Sequence, residues 1–378
     1  MTETVKPQLA AHDRCTGCGA CASGCPKGAI HMVRDKEGFL YPQITDGCVS
    51  CGHCAHVCPV LKQREVRGQS AVLCAHSTAG GVFTALADYA LECGGVVFGA
   101  ALDEKLQVRH MAVKNKEDLR LLRGAKPIQS ELGETFQQVQ LYLEQGRFVL
   151  FSGTPCQVDG LYRFLGEHPE KLLTCDFACS GVGSPGVWAR FVESMVYVKR
   201  RQAVDVRFCD KLKGEKDRRF RVWFEGGGTF DAPLGKCQPG RGILRRLFLR
   251  PACYHCTYAN VNRPGDLTMA LFRNAPKDFY PKQQKEGMSL LLINTVKGAH
   301  IFDQLSLKRE LRTMEEAVAG DVALRCAAAA PPDRQKFFEE LERAPFRKVC
   351  DRFFSVRPYQ ARKSGGLTAL KEKLWKKR

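Results

Sequence analysis

Apolar positions along the chain fall into two rhythms that separate helices from strands. Gly80–Cys93 sets Val82, Phe83, Leu86, Tyr89 and Ala90 at helical spacing behind paired glycines, which predicts a helix. Val96–Leu102, Arg147–Ser152 and Met288–Asn294 are short unbroken apolar runs, the pattern of strands buried on both faces. Helical periodicity recurs over Glu117–Leu122, Leu132–Glu144 and Asp333–Leu341, and alternation over Val204–Phe208 and Arg219–Phe224 predicts further strands. The strand ending at Ser152 runs straight into Gly-Thr-Pro-Cys. Ser152–Gln157 therefore stands at the carboxyl end of a strand, where open α/β sheets hold ligands.

Ahead of these elements the first sixty residues are rich in cysteine, glycine and proline, and the polar run Leu61–Gln69 closes them off. A chain of 378 residues exceeds one typical core, which stops growing near about 250 to 300 residues. We divide it into residues 1–64, a larger unit over 65–360 and a tail over 361–378. The tail places Leu367, Leu370 and Leu374 at helical spacing beside Lys371, Lys373, Lys376 and Lys377, a basic amphipathic pattern. A solvated terminal helix is the simpler reading of it, and contact with anionic lipid or an acidic protein the alternative.

Composition changes this picture little. Hydrophobic residues at 44% and charged residues at 26% match folded globular proteins, and no repeat period appears. The start carries no secretory pattern and no apolar run is long enough to span a bilayer, so a cytoplasmic location is expected. The net charge of +18 invites a nucleic-acid reading, but no zinc-finger, RNA-recognition or helix-turn-helix signature supports it. Negatively charged cofactors would offset part of that excess.

The nineteen cysteines carry the chemistry. Cys15, Cys18, Cys21 and Cys25-Pro26 form C-x2-C-x2-C-x3-C-P, and Cys48, Cys51, Cys54 and Cys58-Pro59 repeat it. This doubled run is the ligand pattern of a bacterial-type ferredoxin with two [4Fe-4S] clusters, in which the fourth cysteine of each run serves the other cluster. Cys15, Cys18, Cys21 and Cys58 are expected to hold one cluster, and Cys48, Cys51, Cys54 and Cys25 the other. Zinc is the alternative, but zinc sites normally use two separated C-x2-C pairs. His53 and His56 are expected at the surface. Cys253 and Cys256 form a further C-x2-C pair that needs two more thiolates, for which Cys156 and Cys179, each in a Gly/Pro-rich turn, are the candidates. Cys74, Cys93, Cys175, Cys209, Cys237, Cys326 and Cys350 read as inert buried thiols.

With these residues in place, nearly the whole chain resembles the coenzyme F420 hydrogenase/dehydrogenase beta-subunit family, in the bacterial form fused to a ferredoxin domain. The resemblance rests on CTGCGACASGCPKGAIHM, EGFLYPQI, GGVFTALA, GGVVFGAAL, LRGAKPIQSELG, VLFSGTPCQVDGL, GVGSPGVW, RPACYHCTYANVNRPGDLT and GMSLLLINTVKG, in that order. It implies an α+β protein: a small ferredoxin-like 2[4Fe-4S] domain, then a larger mixed α/β flavoprotein module. It also implies a third [4Fe-4S] cluster on Cys156, Cys179, Cys253 and Cys256, and an FAD joining one-electron to two-electron chemistry. Gly80 and Gly81 before a helix, with Ser77, Thr78 and Thr84, are the expected phosphate cradle. Arg123, Lys126, Gln129 and Ser130 in RGAKPIQS would supply charge and hydrogen bonds, and Thr154 and Asp266 complete the expected cofactor-binding set.

The functional expectation is an iron-sulfur flavoprotein oxidoreductase relaying electrons between clusters and FAD for an organic acceptor or donor. Its expected partners are ferredoxin or another redox protein and, by resemblance, polysaccharide-biosynthesis enzymes; no nucleic acid is expected. GDLTMALFRN keeps Asp266 but differs from the family run at Leu271, Arg273 and Asn274. This motivates a second expectation, a non-catalytic electron-transfer subunit with a degenerate flavin site. No general-base dyad is legible, and Ser184 in GSPG does not fit a nucleophile elbow.

Overall fold

The computed structural model describes residues 6–62, 71–76, 81–211, 217–272 and 288–355. The short helices α1 (Ala20–Ser23) and α2 (His53–His56) frame the hairpin of β1 (Ile30–Arg34) and β2 (Leu40–Ile44). β3 (Ala71–His76), α3 (Gly81–Glu92), β4 (Val96–Leu102), β5 (Val108–Val113), α4 (Leu119–Leu122) and α5 (Thr135–Glu144) follow. Next come β6 (Val149–Gly153), α6 (Pro155–Leu165), β7 (Leu172–Phe177), α7 (Pro185–Lys199), β8 (Ala203–Lys211), β9 (Arg218–Phe224), β10 (Thr229–Pro233) and α8 (Gln238–Arg245). β11 (Leu267–Leu271), β12 (Ser289–Ile293), α9 (Val296–Asp303), β13 (Lys308–Leu311), α10 (Met314–Gly320), α11 (Arg334–Arg343) and α12 (Phe346–Phe353) complete the order.

Eight strands form the central sheet in the order β13-β3-β12-β11-β7-β6-β4-β5. Its middle, β11, β7, β6 and β4, is parallel, and the flanking pairs are antiparallel. Two of the unbroken apolar runs, Val96–Leu102 and Arg147–Ser152, sit in this middle as β4 and β6, as strands covered on both faces must, while the third, Met288–Asn294, is the antiparallel β12. Val97, Ala101, Leu150 and Leu173 point to the side of α3 and α9, while Val96, Phe98, Val149, Phe151 and Leu172 point to α5 and α6. A second, three-stranded sheet, β10-β9-β8, packs with α7, α11 and α12 around Trp188, Phe208, Phe220 and Phe337. The mixed α and β architecture expected from the sequence is present, with the ferredoxin-type segment ahead of it.

That segment does not stand apart. Cys18, Ala20 and Val57 belong to the same apolar cluster as Phe98, Phe136 and Phe151. The β1–β2 turn is held from the larger unit: Glu37 takes both guanidinium nitrogens of Arg334, and its carbonyl accepts from the Ser184 hydroxyl. Arg34 pairs with Glu131 at 2.9 Å.

Sequence expectations and observed elements agree closely at β4, which spans the predicted residues, and at α3, α5 and α11, which start or stop within three residues of them. The predicted 117–122 helix shortens to one turn, Leu119–Leu122. Its preceding residues make the Asn115–Asp118 side-chain turn instead, because Asn and Asp compete for backbone donors. The tail over 361–378 lies outside the described residues. No helix among the described residues is long and apolar enough to cross a membrane.

Candidate functional site

Two capped helix starts place the site. Thr154 closes β6 and caps α6 in a capping box with Gln157, and Pro155 at the first helical position fixes the turn. Cys156 follows at once. On the neighbouring parallel strand, β7 ends at Phe177 and Cys179 lies two residues on, in the loop that Ser184 closes by capping α7. Adjacent parallel strands thus deliver one thiol each at their carboxyl ends, the position predicted for Ser152–Gln157. Ser184 is a buried cap, its hydroxyl accepting from the Val187 amide at 2.9 Å.

The cysteines gather in three groups. One cavity is lined by Cys15, Cys18, Cys21 and Cys58, and another by Cys25, Cys48, Cys51 and Cys54. The fourth cysteine of each run sits with the three from the other run. In the third group Cys156 is an electrostatic neighbour of Cys179 and Cys256, and Cys253 of Cys156 and Cys256. Burial pushes the thiols of Cys18, Cys156, Cys179 and Cys253 up to about 12, and crowding by the other sulfurs adds to it. Such thiols stay protonated until a cation replaces the protons.

Amide donors already aim at these sulfurs, Ala29 N–H at Cys25, Ser50 N–H at Cys48 and Gly181 N–H at Cys179, and the Thr154 hydroxyl lies beside Cys156 Sγ at 3.1 Å. Donors of this kind hold cluster thiolates and raise their potentials. Among the described residues no three His, Cys, Asp or Glu side chains close on a point as one ion requires. Zinc would hold its four sulfurs about 3.8 Å apart, from bonds of about 2.3 Å in a tetrahedron. Each set brings four cysteines together, the number of thiolates a [4Fe-4S] cluster takes.

The groups are stacked in series. Cys18 is an electrostatic neighbour of both Cys58 and Cys156. A Cβ built at Gly160, one helical turn beyond Cys156, would stand 2.9 Å from the Cys18 Cβ and 3.0 Å from its Sγ. Beside this contact the buried Tyr258 hydroxyl donates to Asp159 at 2.8 Å. Arg250, 1% exposed, is a charge neighbour of Cys156 and donates to the Cys15 carbonyl. At the far end Cys51 is exposed. His56 is exposed as expected, but His53 is half-buried and lines the cavity of Cys25, Cys48, Cys51 and Cys54.

The residues expected around FAD divide. Ser77, Thr78 and Gly80 lie outside the described residues. Gly81 opens α3 at φ +77°, and Thr84 is buried on that helix. Arg123 and Lys126 line a cleft of about 340 Å³ between α4 and β8, together with Arg120, Arg207, Asp103, Asp205 and Asp210. Lys126 donates to the carbonyls of Leu122, Arg123 and Gly124, and burial followed by the Arg207 charge lowers it to about 8. Arg123 Nε is buried and has no hydrogen-bond partner among the described residues. This loop is hydrogen-bonded to the Cys179 loop, since Gly183 donates to the Pro127 carbonyl and accepts from the Gln129 amide.

The other expected cofactor residues spend their polar groups inside the protein. Gln129 donates to the Thr16 carbonyl and accepts from Arg250, while Ser130 and Thr154 bond Gln157. Asp266 is buried and accepts from Thr174, Tyr162 and Thr295, with Lys297 at 3.5 Å. Asp266 therefore ties β7, α6 and β11 together. Arg273 and Asn274 lie outside the described residues, and Leu271 pairs with Ser289 on β12. Of the thiols read as buried and inert, Cys175, Cys237 and Cys350 are buried, Cys209 is half-buried and lines the cleft, and Cys93 and Cys326 are exposed. The latter two follow helix ends or lie between short turns, positions that periodicity does not rank. The Cys74 side chain is outside the description.

Residues 146–318 match the family of the C-terminal part of coenzyme F420 hydrogenase/dehydrogenase beta subunits. Residues 14–61 match the 4Fe-4S dicluster domain. Among solved structures, a chain of the F420-reducing [NiFe] hydrogenase complex from Methanosarcina barkeri is similar at 20% identity, over 68% of this chain and 88% of that one, with a TM-score of 0.45. No curated protein matches.

Proposed function

We infer, for a chain that belongs to the coenzyme F420 hydrogenase/dehydrogenase beta-subunit family and carries a 4Fe-4S dicluster domain, that it conducts electrons through three [4Fe-4S] centres in series toward a flavin. Cys25, Cys48, Cys51 and Cys54 would hold the outermost, Cys15, Cys18, Cys21 and Cys58 the middle one, and Cys156, Cys179, Cys253 and Cys256 the innermost. The observation that carries the reading is the contact of Cys18 with α6 one turn beyond Cys156. Clusters supply one-electron carriers, and FAD would join them to the two-electron chemistry of an organic acceptor or donor.

The protein's own share is to bury, space and tune. The exposed Cys51 end offers access to a redox partner protein, a ferredoxin by our reading, while the cysteines of the other two groups are half-buried or, at Cys18, buried. The cleft holding Arg120, Arg123, Lys126 and Arg207 would take the FAD pyrophosphate, its four cations supporting that reading. Arg123 Nε has no hydrogen-bond partner among the described residues, and burial lowers Lys126 to about 8, so an added anion would pair with both even beside Asp103, Asp205 and Asp210. Anaerobic purification with iron, sulfide and flavin assay tests the reading: about twelve irons and one FAD per chain are expected, and eight irons would leave only the dicluster domain.

A second reading is favoured by one observation. Gln129, Ser130, Thr154 and Asp266 have their polar groups satisfied internally. A chain with twelve irons that neither contains nor binds FAD would be an electron-transfer subunit serving another enzyme.

A further inference from the structure

The guanidinium of Arg250 is 1% exposed and, among the described residues, pairs with no carboxylate. Its backbone belongs to the innermost group: its carbonyl accepts from the Cys253 amide and its amide donates to Val182. Its side chain belongs to the middle group. Nε donates to the Cys15 carbonyl at 2.7 Å, Nη2 to the Leu40 carbonyl at 3.0 Å, and Nη2 reaches Cys15 Sγ at 3.8 Å. Nη1 donates to Gln129 Oε1 at 2.9 Å, and the Tyr41 ring covers the guanidinium with its centroid 4.1 Å away. Gly17, at φ +68°, makes the room, since a Cβ there would stand 2.6 Å from Nη1.

A buried cation without a counter-ion is costly, and neutral carbonyls and rings offset only part of that cost. Two sets of thiolates around iron would supply the missing negative charge. Cys15 lies in one set, and Cys156 and Cys253, both of which feel the Arg250 charge, lie in the other. We propose that Arg250 is a shared counter-ion wedged between the middle and innermost clusters, raising the reduction potential of both and leaving the outermost untouched. A cation between two centres stabilises whichever holds the extra electron. Arg250 thus acts as a positioning residue through charge.

This inference rests on the three-cluster reading, and the iron count separates the two: fewer than twelve irons in the unaltered chain defeats that reading before Arg250 is tested. The test is an anaerobic redox titration of the full, cluster-loaded chain followed by electron paramagnetic resonance. Arg250→Met should lower the one-electron reduction constant of two clusters at least tenfold, about 59 mV each, and leave the third in place. Arg250→Lys, which keeps the charge, should restore most of the shift. If the methionine variant fails to load, Gln129→Glu decides, because a carboxylate at the 2.9 Å contact neutralises Arg250 without removing it; the same two potentials should fall. Potentials unchanged in the loaded variant, or all three moving alike, would overturn the proposal.

Discussion

Replacing Gly160 with alanine sets two effects of known sign against each other. In a free helix the change is favourable, since glycine costs about 1 kcal/mol relative to alanine in a helix interior. Here the added methyl would meet Cys18 Cβ at 2.9 Å and Sγ at 3.0 Å. Packed carbons sit about 3.5 to 4.0 Å apart, so the intrusion is roughly 0.6 to 1.1 Å. Neither side yields easily: Val158, Asp159, Leu161 and Tyr162 hold α6 by burial, and Cys18 is fixed in its cavity. Overpacking of this kind costs about 1–3 kcal/mol. Taking about 2 for the clash less about 1 for the helix, Gly160→Ala should lose about 1 kcal/mol. Anaerobic guanidinium unfolding of the loaded protein, followed by cluster absorbance and far-ultraviolet circular dichroism, reads this as a lower midpoint. A midpoint that rises by the helix gain would show that α6 does not press on the Cys18 turn and would refute the stacked arrangement.

His110 is fully buried, its Nε2 bonded to the Ser152 carbonyl and its Nδ1 unpartnered, and burial lowers it from 6.5 to about 4. The unfolded chain therefore binds the extra proton between those values, so stability is present above pH 6.5 and lost as pH falls toward 4, on the order of 3 kcal/mol; His110→Phe should flatten the acid limb of an unfolding series. In the cationic cleft, Lys126 gains its proton as pH falls through about 8, so calorimetric pyrophosphate binding should tighten from pH 9 to pH 7, and Lys126→Met should remove that dependence. Arg263 and Asp176 form an ion pair with both side chains 0% exposed. Asp176→Asn, which strands the guanidinium, should cost about 3–5 kcal/mol in thermal or denaturant unfolding.

Much of this was legible because spacing fixes ligand sets before any fold is known. The doubled cysteine run prescribed the exchange of Cys25 and Cys58 between groups, and the structure lines the two cavities with those sets. Continuous apolar runs marked β4 and β6 because parallel central strands leave no polar face to break the pattern. The order of the groups was not legible, since it depends on Gly160, Tyr258 and Arg250, contacts made across roughly a hundred residues or more. The Arg-Pro ahead of the Cys253 pair was visible, but a lone arginine is ordinarily a surface residue, and only its burial distinguishes it. The internal bonds of Asp266 were not legible for the converse reason: a short motif does not reveal that a carboxylate accepts from Tyr162, Thr174 and Thr295.

Helix α6 carries a thiol at its second residue and its contact with Cys18 four residues later. A helix rises about 1.5 Å and turns about 100° per residue, so the interval from Cys156 to the Cys18 contact is graduated in whole residues of a single rigid segment. Changes of length elsewhere in the chain leave that interval untouched. One residue gained or lost between Cys156 and Gly160 would swing the contacting face about a quarter-turn away, and the proposed relay would lose that contact while keeping every cysteine.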